Sequence, residues 1–221
     1  FFLWRINLFH PVYQQRTDQH FLEKNNFSVI RVNHDFSKSR SSFGGIFVNK
    51  FGLGGNNNYN RVFALDGKLG LGKKAQLSGF LSRSNSPNIT TKDFAYAIKA
   101  EYNWDGWRLN ASLSQVGEGF NPEVGFLQRN AYYKPEFLIW KTIRTGKKGP
   151  LFEIRPHIYR RTFYKTNKDI LSDYLHVDNH WVWPSGFEIH TGVNFVEEGV
   201  FEESMAYLTS WPGLSLTKEI K

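Results

Sequence analysis

Residues 63–82 read FALDGKLGLGKKAQLSGFLS, and their alternation decides the fold. The odd positions Phe63, Leu65, Gly67, Leu69 and Leu71 are apolar or glycine, and the even positions Ala64, Asp66, Lys68 and Gly70 are small or charged. After Gly72-Lys73-Lys74 the pattern resumes, with Ala75, Leu77, Gly79 and Leu81 set against Gln76, Ser78, Phe80 and Ser82. A strand puts successive side chains on opposite faces, whereas a helix needs apolar residues three and four apart. The expected local structure is two strands joined by a tight turn.

The same period extends outward. Phe94, Tyr96, Ile98, Ala100, Tyr102 and Trp104 alternate with Asp93, Ala95, Ala97, Lys99, Glu101 and Asn103. Trp107, Leu109, Ala111 and Leu113 alternate with Arg108, Asn110, Ser112 and Ser114. Phe137, Ile139 and Ile143 share a face, as do Phe152, Ile154, Pro156 and Ile158. Leu175, Val177, Trp181 and Trp183 oppose His176, Asp178 and His180, and Phe187, Ile189, Val193 and Phe195 oppose Glu188, His190 and Asn194. With 27–36 and 43–50 added, about ten strands are expected, each near the length that a tilted membrane strand requires.

The connections sort into two kinds. Ser37–Arg40, Gly72–Lys74, Asp105-Gly106, Thr145–Gly149 and Pro184–Gly186 are tight. Asp-Gly is a strong hairpin signal because both residues tolerate positive φ. Gly52–Asn60, Arg83–Lys92, Gly117–Asn130 and Lys165–Asp173 read as long and polar. Short turns alternating with long loops characterise outer-membrane barrels, and rings beside the turns (Trp104, Trp107, Trp183, Phe187) suit an interfacial girdle. The plainer reading of those rings is cross-strand packing.

Composition agrees. Aromatics make up 17% of the 221 residues, and there is no Cys to build a disulfide framework or thiolate metal site. The formal charge is +8 and the pI about 9.6, yet the longest basic runs are pairs (Lys73-Lys74, Lys147-Lys148, Arg160-Arg161), so dispersed charge rather than a nucleic-acid surface is expected. No apolar run reaches the roughly 18 residues of a membrane helix, and the mean hydropathy of −0.47 suits a barrel as well as a soluble protein. The chain opens at Phe1-Phe2-Leu3-Trp4 and closes on Thr217-Lys218-Glu219-Ile220-Lys221, too charged to read as a closing strand; a piece of a longer chain is expected.

Three runs carry a resemblance. Gly119-Phe120-Asn121-Pro122-Glu123-Val124-Gly125-Phe126-Leu127 with Arg129 is similar to a motif of a bacterial outer-membrane family, catalogued as domain of unknown function 5916. Gly44-Gly45-Ile46-Phe47 with Asn49 resembles a second-strand pattern of that barrel. Phe1-Phe2-Leu3 with Phe9 resembles its entry segment, although Trp4 stands where the family has Glu. In that family a family-nine-like carbohydrate-binding module precedes the barrel. The resemblance implies a membrane-embedded barrel linked to glycan handling.

Candidate chemistry is sparse. Glu118 and Glu123 share the loop 117–130 and could act as acid and base on a glycan; a structural loop turn, or a loop folded into the lumen, is the plainer role. His176, Asp178 and His180 alternate on one strand face with His190 across the 184–186 turn, a set able to ligate zinc. The plainer reading is a polar lumen network. Arg155, His157 and Tyr159 alternate on another strand and suit a lumen or ligand-binding face. No nucleophile elbow and no phosphate loop occurs, so the sequence leans away from an enzyme and implies no cofactor.

The sequence thus leads to an all-β, antiparallel transmembrane β-barrel, with an entry segment at 1–26 and strands over 27–221 that are incomplete at both ends. Its expected place is the bacterial outer membrane, with lipid as partner, glycans implied by the resemblance and no nucleic acid. Its expected role is pore, anchor or platform. The alternatives are a membrane-associated glycan hydrolase and a soluble β-sandwich carbohydrate-binding module.

Overall fold

The structure, a computed structural model, describes residues 25–54, 58–87, 89, 91–146 and 149–198 with their side chains, and as backbone the strand residues within 4–21, 199–202 and 205–219. The described residues form strands and turns only. Among the described residues no helix is long and apolar enough to cross a membrane. The strands are β1 (Trp4–Phe9), β2 (Val12–Tyr13), β3 (Arg16–Thr17), β4 (His20–Phe21), β5 (Asn25–Phe36), β6 (Ser41–Gly52), β7 (Tyr59–Leu71), β8 (Ala75–Asn85), β9 (Phe94–Trp104) and β10 (Trp107–Val116). They continue as β11 (Tyr132–Lys141), β12 (Ile143–Arg144), β13 (Glu153–Lys165), β14 (Ile170–Val182), β15 (Glu188–Glu202) and β16 (Met205–Glu219). All ten expected strands are present. Each of the long ones spans 10 to 15 residues, against a usual globular mode of about 5–6.

The chain divides into two compact units. The first holds residues 1–98 and 114–132. Within it β1, β5, β6, β7 and β8 pair antiparallel in that order, β1 standing at the end. The register sets Phe47 beside Phe63, Gly67 beside Phe43, Leu65 beside Leu81 and Leu69 beside Leu77, so these side chains line one face. Lys50 pairs with Asn60, Val48 with Val62, and Ser84 with Val62 on β7's other side, so these line the opposite face.

The second unit holds residues 99–113 and 133–221. Here β13, β14, β15 and β16 pair antiparallel in order, β16 standing at the end. In each unit the sheet is open rather than closed on itself. The expected fold is therefore met in its coarser part, an all-β antiparallel sheet.

Turn chemistry explains the hairpins. Asp105 and Gly106 both adopt positive φ (46° and 76°), which matches the twist of the flanking strands. Gly72 and Gly186 do the same at φ 60° and 82°.

Two expectations change. Lys165–Asp173 is not a long loop: β14 starts at Ile170, and the turn is closed by Lys165 N–H donating to Asp169 O at 2.8 Å and Lys168 N–H to Lys165 O at 2.9 Å. Ile170 and Leu171 extend the strand because they are apolar and Ile is β-branched. The charged C-terminal stretch does form a strand, since Thr217, Lys218 and Glu219 face His190, Ile189 and Glu188 in the ladder. Pairing is a property of the backbone groups, which side-chain charge does not remove. Ile220 and Lys221 lie outside the described residues. At the other end, β1 and the first residues of β5 fall within the stretch 1–26.

Candidate functional site

Burial runs opposite to that of a soluble sheet. On β7 the apolar odd positions are the open ones, with Phe63 51% and Leu65 56% exposed, and Leu69 and Leu71 alike. Phe43, Phe51, Leu81, Ile98, Trp104, Ile139, Val177 and Phe195 are also exposed. The side chains that are buried are largely polar: His34, Asn60, Ser82, Ser84, Ser86, Thr162 and Asp178, against Val62, Ala95, Val116 and Phe120 among the apolar ones. Each unit carries a site on its covered, polar face.

In the first unit the segment 117–131 folds back over the sheet. Gly117 and Gly119 donate their N–H groups to Phe94 O and Lys92 O at 2.9 and 3.1 Å. A Cβ on either glycine would lie 2.0 Å from Lys92 O or 2.2 Å from Thr91 O, so only glycine permits this approach. Phe120 then packs with Val62, Ala95 and Val116, and Val48, Leu127 and Tyr132 close around them.

The polar anchor is Asn60, wholly buried at 0% exposure. Its Nδ2 donates to Ser86 Oγ at 2.7 Å and to Asn121 O at 2.6 Å, while its Oδ1 accepts from Glu123 N–H at 3.2 Å. Asn121 N–H donates to Ser84 Oγ at 2.9 Å. The two sequence-singled carboxylates serve this docking: Glu123 pairs with Lys50 at 2.6 Å and Glu118 with Lys92 at 2.9 Å. A loop folded onto the polar face is what they build. In the sequence Asn60 reads as the end of the polar loop 52–60, and nothing there marks it as buried. Extending the even-position series Ala64, Asp66, Lys68 two steps back, through Val62, reaches it.

In the second unit the two histidine-bearing strands merge into one cluster. Register places His157 opposite Asp178, Tyr159 opposite His176 and Arg155 opposite His180 between β13 and β14, and His180 opposite His190 between β14 and β15. Every one of Arg155, His157, Tyr159, His176, Asp178, His180 and His190 therefore shares a face. Trp140 stacks on His157 with ring centroids 4.4 Å apart and meets His180 edge-on at 5.1 Å. Tyr159 packs against Tyr174 at 6.1 Å.

Glu188 organises one side of the cluster. Its Oε1 accepts from Arg155 at 2.5 Å, His180 Nδ1 at 2.7 Å and His190 Nε2 at 2.9 Å. Arg155 also reaches Glu153 at 3.3 Å. His180 and His190 stack at 3.7 Å between centroids. Glu188 and Trp140 were not singled out from sequence, because strand register, and not spacing along one strand, brings them in. The signal available was Glu188 two residues before His190, on the same face. Two groups here have the geometry to hold a metal: His157, Asp178 and His180, and His180, Glu188 and His190, with ligand atoms within 4.8 Å of one another in each.

Compared with known proteins, the chain matches no family model, no curated relative and no solved structure. The resemblance in 119–129, 44–49 and 1–9 thus stands on those short runs alone.

Proposed function

We propose that this chain is the strand framework of an outer-membrane β-barrel of a bacterium, acting as a pore, an anchor or a platform. The inverted burial carries the reading. A soluble sandwich hides its apolar face and wets its polar one, whereas a membrane barrel gives the apolar face to lipid and the polar face to its interior.

Strand length supports it. Thirteen residues, as in β7, β13 and β14, rise about 43 Å at roughly 3.3 Å each. At the usual tilt of about 45° they cover about 30 Å, the thickness of the hydrocarbon layer. Exposed Trp104 and Trp107 flank the Asp105-Gly106 turn, where an interfacial ring would sit. The docked segment 117–131 suits a loop that narrows a lumen.

Lipid is the partner this reading requires, and the link to glycans rests on the resemblance. The hydrolase alternative is not favoured, since Glu118 and Glu123 are each tied to a lysine in an arrangement that suits loop anchoring. The sandwich alternative is not favoured because the apolar face is open.

Membrane partitioning with heat-modifiable gel migration tests the proposal. Extraction only by detergent, with faster migration before boiling, is expected. A chain that stays soluble and shows no heat shift overturns it.

A further inference from the structure

We propose that His157, Asp178 and His180 form a three-ligand site, completed to a tetrahedron by water, for a borderline divalent cation of the zinc class, stapling β13 to β14. The inference uses the second unit alone and does not depend on the membrane reading.

Asp178 is 8% exposed, and its Oδ1 has no hydrogen-bond partner. A buried carboxylate oxygen left so costs about 1–3 kcal/mol or more, and a cation bound by this carboxylate would offset that cost. Its Oδ2 lies 3.5 Å from His180 Nε2, too far for a good hydrogen bond. That separation suits a different geometry. Ligands about 2.1 Å from a tetrahedral zinc lie about 3.4 Å from one another. Same-face side chains start roughly 7 Å apart along a strand, so His180 must lean toward Asp178 to reach this value.

The tautomers agree. His157 Nδ1 donates to Arg155 O at 3.3 Å and His180 Nδ1 to Glu188 Oε1 at 2.7 Å. His176 stands beside this set rather than in it. With each Nδ1 carrying its proton, each Nε2 keeps its lone pair. An acceptor held on the far nitrogen is the usual support of a metal-binding imidazole. His157 lies 5.1 Å, ring centroid to centroid, from both His176 and His180, and its ligand atom is within 4.8 Å of those of Asp178 and His180. Opposite Asp178 stands Gly192, where a Cβ would come within 3.1 Å of the carboxylate carbon, so the place keeps room for the ligand set.

The neighbouring trio of His180, Glu188 and His190 is the weaker site. Glu188 Oε1 already accepts from Arg155, whose charge offsets it, as well as from both imidazoles. His190, expected from sequence as a ligand, belongs to Glu188, and His157 takes its place.

The test uses the full chain, stripped with a chelator and titrated with Zn²⁺ alone by calorimetry, with bound metal counted by mass spectrometry. One ion per chain is expected, together with the intense visible absorption of tetrahedral Co²⁺ when cobalt is substituted. Asp178→Asn and His157→Gln should abolish stoichiometric binding, and His190→Gln should leave it. Absence of stoichiometric binding by the unmodified chain overturns the site, whatever the variants do. So does affinity unchanged by Asp178→Asn or His157→Gln, or a weak octahedral cobalt spectrum.

Discussion

Arginine at position 65 distinguishes a lipid-facing strand from a water-facing one. Leu65 stands at the middle of β7, 56% exposed, on the face shared with Phe63, Leu69 and Leu81. If water bathes that face, Leu65→Arg removes little packing, and exposed substitutions usually stay within about 0.5 kcal/mol. If lipid bathes it, the middle of β7 is the bilayer midplane, and arginine there costs about 2–4 kcal/mol. At about 1.36 kcal/mol per tenfold, that is a shift of about 30- to 900-fold in the folding equilibrium, against about twofold in water. The assay is urea unfolding of the full chain in lipid vesicles, followed by the fluorescence of its seven tryptophans, with Leu65→Met as the apolar control. A loss under about 0.5 kcal/mol for Leu65→Arg would refute the inverted-face reasoning.

Other substitutions probe the two sites. Asn60→Ala removes three hydrogen bonds, to Ser86, Asn121 and Glu123, and should cost about 2–4 kcal/mol while hastening limited proteolysis within 117–131; an unchanged urea midpoint and cleavage rate would deny the anchor. Gly119→Ala puts a Cβ 2.2 Å from Thr91 O, so the segment must lift, and faster cleavage there is expected with the strands' circular dichroism retained. Gly192→Ala crowds Asp178 from 3.1 Å and should weaken Zn²⁺ binding in calorimetry without unfolding the sheet; undiminished affinity would show that the carboxylate does not need that room.

Much of the fold was legible because period two survives in nearly every strand, and because Asp105-Gly106 and Gly72 supply positive φ where a hairpin needs it. Which face meets solvent was not legible, since Phe63-Ala64-Leu65-Asp66 alternates identically in a sandwich and in a barrel. Side-chain exposure shows which face is open. His176, Asp178, His180 and His190 could be placed on one face from spacing alone. Their joining with Arg155 and His157 depends on cross-strand register, which a single strand's sequence does not contain. The same holds for Asn60 and Asn121, 61 residues apart yet hydrogen-bonded. The turn after Lys165 misread as a long loop because Lys165, Asn167, Lys168, Asp169 and Asp173 are polar, although Ile170 already belongs to β14.

The most direct measurement is a single-cysteine scan of β7, clean because the chain has no Cys of its own. Cysteines at 63, 65 and 69, and at 64, 66 and 68, would be introduced one at a time and the chain placed in lipid vesicles. A charged, membrane-impermeant thiol reagent and a lipid-soluble one would then be applied in parallel. An outer-membrane barrel predicts that the odd positions react only with the lipid-soluble reagent and the even positions only with the charged one. Ready labelling of 63, 65 and 69 by the charged reagent would contradict a lipid-facing apolar surface and return the chain to water.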